Sequence, residues 1–142
     1  MILTDNEINL VLVKVSNGNI DKDIVPAYHF SIQLMDKTQV GVCDLRVGHN
    51  EKLYYGGNIG YSINPQFRGN GYATKACNIL REYAKNVHNM DYLIITCKPE
   101  NIPSKLTCIH AGYELIDTVE LPEDNDMYQR GERFKCIYKL YL

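Results

Sequence analysis

The sequence predicts an α/β or α+β domain with a mixed sheet. Three features point there: strand-like runs from Ile8 to Ile63, a strongly helical segment beginning at Gly71, and an almost unbroken apolar run, Tyr92 to Cys97. A chain of 142 residues suits one compact domain with a real core.

Taken in order, Ile8 to Val15 is a β-branched run. Tyr28 to Met35 alternates, with Tyr28, Phe30, Ile32 and Leu34 on one face and His29, Ser31 and Gln33 on the other. Val40 to Val47 is a third strand whose apolar phase slips between Val42 and Leu45, which predicts a bulge near Cys43. Asn58 to Ile63 is a short fourth strand, ended by Asn64-Pro65. From Gly71 to about His88 the period turns helical, with Ala73, Ala76, Cys77, Leu80, Ala84 and Val87 on one stripe. Tyr92 to Cys97 reads as a central strand covered on both faces. Asn101 and Pro103 open a second helix, which Gly112 should end. Tyr113 to Leu121 and Glu132 to Leu142 close the domain around a polar loop, Pro122 to Gly131.

Composition narrows the partners. With 45% hydrophobic and 23% charged residues the chain is ordinary for a soluble globular protein. The net charge of -2 offers no basic field for a polyanion, and no Lys/Arg run would grip a phosphate backbone, so nucleic acid is not expected. The N-terminal stretch lacks the marks of a signal peptide, and no apolar run approaches the roughly 20 residues that span a bilayer. The five cysteines are odd in number and lack metal or redox spacing, so free buried thiols in a reducing, cytoplasmic setting are expected, with no metal.

The chemistry concentrates in Gln66-Phe67-Arg68-Gly69-Asn70-Gly71-Tyr72-Ala73, between a strand and an amphipathic helix. Two glycines let such a turn aim successive N–H groups into one concavity, and the helix adds unpaired N–H groups and the positive end of its dipole. Arg68 can add a charge and Thr74 a hydroxyl. The turn is suited to a phosphate or pyrophosphate; the plain alternative is a strand-to-helix turn with no ligand. A dinucleotide fingerprint fails, because Thr74 stands where its third glycine belongs, and a Walker loop is absent.

Gln66-x-x-Gly69-x-Gly71-x-Ala73, after a strand ending in Asn64-Pro65, resembles the acetyl-CoA pyrophosphate loop of the GNAT superfamily. Asn101, Ser104, Gly112 and Tyr113 match a second marker of that family at the proper distance, so the resemblance covers about Asn58 to Leu121. It implies a mostly antiparallel mixed sheet of six to seven strands with helices on both faces. Ser16 to Pro26 is too short for the family's first two helices, which should be reduced or missing. The implied activity is transfer of an acetyl group from acetyl-CoA to a primary amine of a small molecule or peptide. The alternative is a non-catalytic acyl-CoA-binding module or sensor.

By similarity, the pantetheine arm would lie in a cleft beside Ile59, Tyr61, Ser62 and Ile63, whose strand offers it backbone groups. Arg68, Gly69, Asn70, Gly71, Tyr72, Ala73 and Thr74 would hold the pyrophosphate, and Asn101 and Ser104 would face the cleft. Asn101 can equally be a helix cap, and the two roles are compatible. Where many relatives carry a tyrosine that protonates the thiolate, this chain has Cys108, either a weak proton donor or a small core residue. Thr96 replaces the glutamate some relatives use as base. Asp44 and His49 are the nearest ionisable candidates for that task, against surface or turn roles for each, and a water chain is a third possibility. The acceptor wall would come from Tyr54 to Asn58 and from Pro122 to Gly131, whose Glu123, Asp124 and Asp126 would attract a cationic amine, or from a second subunit in a homodimer.

Overall fold

Alternation governs the first half of the protein, whose residues 1–142 are described by a computed structural model. Strands β1 (Ile2–Thr4), β2 (Ile8–Ser16), β3 (Ala27–Leu34), β4 (Gln39–Arg46) and β5 (Ile59–Ile63) form one sheet in sequence order. Every pairing in it is antiparallel. One face buries Ile8 and Leu10 from β2, Phe30 and Ile32 from β3, and Cys43 and Leu45 from β4. Side chains of period two leave Val42, Asp44 and Arg46 on the opposite face.

The β4 bulge falls three residues before the expected place. Ile32 opposes Gly41 and Gln33 opposes Gln39, so Val40 is the extra residue, not one near Cys43. The displaced phase has a clear cause: Val40 is fully buried, and only an added residue brings it to the core side with Cys43 and Leu45. A second bulge sits at Val13, between Leu12 and Lys14.

Helix α2 (Tyr72–Asn86) covers the core face with Ala76, Cys77, Ile79, Leu80, Tyr83 and Ala84. It stops before His88, and Val87 is 60% exposed, so the stripe runs through Ile79 and Tyr83 and omits Val87. Strand β6 (Tyr92–Cys97), helix α3 (Ile102–His110), strand β7 (Glu114–Glu120), the short helix α4 (Asp126–Gln129) and strand β8 (Phe134–Tyr141) complete the chain. The last three strands make a second antiparallel sheet in the order β6-β8-β7. Strands number eight, above the expected six to seven, because Ile2–Thr4 adds a short edge strand.

Helices lie on both faces of β6. Leu93, Ile95 and Cys97 join the core shared with α2 and α3. On the other face Thr96 Oγ1 donates to the Tyr55 carbonyl at 2.7 Å, which fixes helix α1 (Glu51–Gly56) there. The stretch from Ser16 to Pro26 holds a single 3₁₀ turn, Ile20–Lys22, and no α-helix, while the end of α1 meets the outer face of β4 at Arg46, whose Nη1 donates to the Gly56 and Gly57 carbonyls. All five cysteines are free and buried. No helix is long and apolar enough to cross a membrane.

His88 packs between Tyr28 and Tyr83, ring centroids 4.8 and 4.7 Å away, and its Nε2 has no partner. Burial lowers its pKa below the ordinary 6.5. The unfolded chain therefore binds the proton more tightly, and the stability this site supplies is complete above about pH 6.5 and lost as pH falls through the lower folded value. Urea titrations at pH 7.5 and 5.5 should show lower stability in acid, and His88→Phe should flatten that dependence.

Candidate cofactor cleft and active site

The two sheets touch at one end only. Asn58 N–H donates to the Ile94 carbonyl at 2.6 Å, and its Oδ1 accepts the Ile94 N–H at 2.9 Å. Its Nδ2 donates to the Arg46 and Gly48 carbonyls at 3.0 and 2.8 Å, with the residue wholly buried. Past this point β5 and β6 share no ladder.

The hydrogen-bond parity shows what lines the split. Arg46 N–H donates to the Asn58 carbonyl and Asn64 N–H to that of Val40. Antiparallel pairs alternate, so Gly60 and Ser62 turn their backbone groups to β4, and those of Ile59, Tyr61 and Ile63 face the split. Ile63 O is taken by Arg68 Nε at 3.0 Å. On the far side Leu142 N–H donates to Asp91 O, and by the same parity Ile94 and Thr96 face β5. Buried backbone groups are nearly always paired, so unpaired strand amides facing a cleft point to a ligand. Of the four β5 positions expected at the cofactor, Ile59, Tyr61 and Ile63 face the split, and Ser62 faces β4.

The turn ahead of α2 is the second unpaired region. None of the six successive N–H groups from Gly69 to Thr74 finds an acceptor in the chain, and Gly71 supplies no side-chain cap. Gly69 and Gly71 have φ of 82° and 76°, the left-handed region that glycine enters most easily, and a Cβ at either would meet open space. Asn70 Nδ2 donates to the Phe67 carbonyl at 2.9 Å and so braces the turn. The set suits an anionic group at a helix N-terminus.

Asn101 Oδ1 caps α3 by accepting the Ser104 N–H at 3.2 Å, with its Nδ2 free. Ser104 Oγ lies 2.8 Å from the Tyr61 hydroxyl, across the split. Cys108 is fully buried beside these groups, and burial pushes its thiol well above the usual range. A thiol held that strongly protonated is a poor acid toward a thiolate leaving group of ordinary pKa near 8.5, so its placement is that of a core residue.

Asp44 lies on the uncovered face of β4. Its Oδ1 accepts the Gly60 N–H at 2.9 Å and its Oδ2 accepts from Arg46 Nη2 at 3.2 Å. His29 Nδ1 stands 3.9 Å from Asp44 Oδ2, and His29 Nε2 is 3.1 Å from Ser16 Oγ. His49 is elsewhere: it stacks on Tyr92 at 3.8 Å, next to a cavity of about 230 Å³ lined by Asn50, Tyr54, Tyr92 and Ile94. Burial lowers its pKa.

Sequence reasoning did not place Asn58 at the junction of the sheets, His29 beside Asp44 or the Tyr61 hydroxyl beside Ser104. It also named Tyr54 to Asn58 as a candidate acceptor wall without expecting a helix, although Glu51–Gly56 is helical and capped by Asn50 Oδ1 on the Leu53 N–H. An asparagine followed by a glutamate was the available signal.

A sheet split beside a glycine turn and a helix N-terminus is an arrangement suited to a ligand that carries phosphate groups. The chain belongs to the GNAT acetyltransferase family: residues 10–114 match the model of the acetyltransferase (GNAT) domain. It is 38% identical over 65 residues to an uncharacterized N-acetyltransferase, YnaD, of Bacillus subtilis, a match covering 43% of this chain and 38% of that protein. Among solved structures it is similar to a putative ribosomal-protein-serine acetyltransferase of Vibrio cholerae, with a TM-score of 0.70, 14% identity, and coverage of 100% of this chain and 98% of that one. It is also similar to the microcin C7 self-immunity acetyltransferase MccE, solved with acetyl-CoA and AMP. There the TM-score is 0.65 at 24% identity, covering 82% of this chain and 61% of that one.

Asn58→Ala leaves the Ile94 N–H and two carbonyls without their partner, at about 1–3 kcal/mol for each buried group. Urea denaturation should show a loss of about 3 kcal/mol, among the largest for a single polar residue here.

Proposed function

We propose that this protein is an N-acetyltransferase that moves an acetyl group from acetyl-CoA to a primary amine of a small molecule or peptide, by direct attack in a ternary complex. The observation that carries the reading is the pair of unpaired amide sets: six from Gly69 to Thr74, and those of Tyr61 and Ile63 in the split. The first suits the pyrophosphate, with the Arg68 guanidinium beside it. The second suits the pantetheine arm and the thioester carbonyl, with Asn101 Nδ2 as a further donor.

The residues then divide the work. A neutral amine attacks the thioester carbonyl, the tetrahedral oxyanion is held by a β5 N–H, and collapse expels the thiolate. One aimed backbone donor contributes about 3 kcal/mol to such a step, and holding both substrates in register contributes much of the rest. The amine approaches from the uncovered face, where Asp44 sits opposite Gly60 on β5. Asp44 holds a cationic amine and draws its proton, with His29 and Ser16 leading toward solvent. The family's Cys108 position takes no part in this scheme. The free buried thiols favour a cytoplasmic setting.

Thiol release from acetyl-CoA across an amine panel should exceed the amine-free rate with at least one acceptor. Tight acetyl-CoA binding without thiol release by any amine would favour the binding-module reading instead. Gly71→Glu should weaken acetyl-CoA binding by at least about 10-fold, through bulk and like charge. A side chain there enters open space at a left-handed φ, so its cost in stability should be only about 1–2 kcal/mol by chemical denaturation. Asp44→Asn should raise the KM for the amine about 10-fold, the size of one charge-assisted contact, with KM for acetyl-CoA nearly unchanged.

A further inference from the structure

Tyr61 is placed to do more than lend its backbone. It opposes Cys43 in the β4–β5 ladder, so its side chain lies on the core face, under the first turns of α3. From there it crosses the split to Ser104 Oγ at 2.8 Å. The half-buried phenol packs against the core, and its hydroxyl meets the first turn of α3 at Ser104. The phenol and the serine thus form a pair of hydroxyls beside the β5–β6 split, on its α3 side.

We propose that the Tyr61 hydroxyl, steadied by Ser104, is the hydrogen-bond donor that receives the departing sulfur of the acyl-CoA thioester; this rests on the acetyltransferase reading above. When the tetrahedral intermediate collapses, the C–S bond breaks with its electron pair passing to sulfur, and the carbonyl re-forms. The amine proton leaves on the acceptor side. Tyr61 turns its O–H from Ser104 to the thiolate and keeps its proton. Its chemistry agrees: burial pushes the phenol up to about 12, so it remains a neutral donor throughout the working range. A thiolate whose conjugate acid has the ordinary pKa near 8.5 would not take that proton outright. Ser104 acts as a positioning residue, because it fixes the phenol's direction before sulfur arrives.

The test begins with calorimetry of the wild-type protein and acetyl-CoA. Absence of binding removes the parent reading and this proposal with it, before any variant is made. Given binding, Tyr61→Phe should hold acetyl-CoA within about 3-fold while kcat falls roughly 10- to 100-fold, the worth of one hydrogen bond to a charged group. In the CoA complex, the thiolate's ultraviolet absorbance should show the bound sulfhydryl titrating about one unit higher in Tyr61→Phe than in wild type. Ser104→Ala should move both readouts the same way by less. An unchanged kcat, a loss confined to KM, or an unmoved thiol titration overturns the assignment while leaving the acetyltransferase reading intact. Should Tyr61→Phe fail to fold, a wild-type complex whose CoA thiol titrates no lower than free CoA overturns it as well.

Discussion

One buried amide, that of Asn58, joins the two sheets and thereby decides where they part. Its main-chain N–H and side-chain oxygen occupy both backbone groups of Ile94, while its Nδ2 holds the end of β4 and the following turn. A regular ladder would have continued along β5 and closed the sheet. A side chain that satisfies Ile94 in place of the next backbone partner lets the strands diverge without orphaning the groups at the vertex. The price is paid past that vertex, where the Tyr61 and Ile63 amides stay unpaired. Residues that a fold leaves unsatisfied in this way mark the place where something else is meant to bind.

The division of chemistry between faces follows from the same split. The core side, under α2 and α3, carries the glycine turn, Asn101, Ser104 and the Tyr61 phenol. The uncovered side carries Asp44, Arg46 and His29. Under the proposed function, a thioester held at β5 would be reachable from both, with the donors on one face and the Asp44 carboxylate on the other. The short Ser16 to Pro26 connection is what keeps the second face open. Val42 is accordingly 48% exposed there.

Much of this was legible in the sequence because its signals are local. A β-branched run located β2, alternation located β3, a strand-like run with a slipped phase located β4, the 3.6-residue period located α2, and Asn101 with Gly112 bracketed α3. The Gln66 to Ala73 turn was recognisable because its glycines serve a backbone need that no other residue meets as cheaply. What stayed hidden depends on distant partners. Nothing near Asn58 announces that its amide will meet Ile94, and nothing near Tyr61 announces Ser104. The bulge was misplaced because burial of Val40 is settled by packing across the sheet, and the pattern within β4 shows only that a slip exists. Helix α1 is too short to be periodic, and its cap and its bond to Thr96 hold it in place.

Amide hydrogen exchange with and without acetyl-CoA tests the central claim most directly. In the free protein the Tyr61 and Ile63 amides should exchange fast for strand residues, as should Gly69 to Thr74, whereas Gly60 and Ser62 should be protected. Saturating acetyl-CoA should slow both unpaired sets and leave Gly60 and Ser62 little changed. Protection that spares these amides, or slow exchange at Tyr61 and Ile63 before any ligand is added, would contradict the split and its proposed occupant.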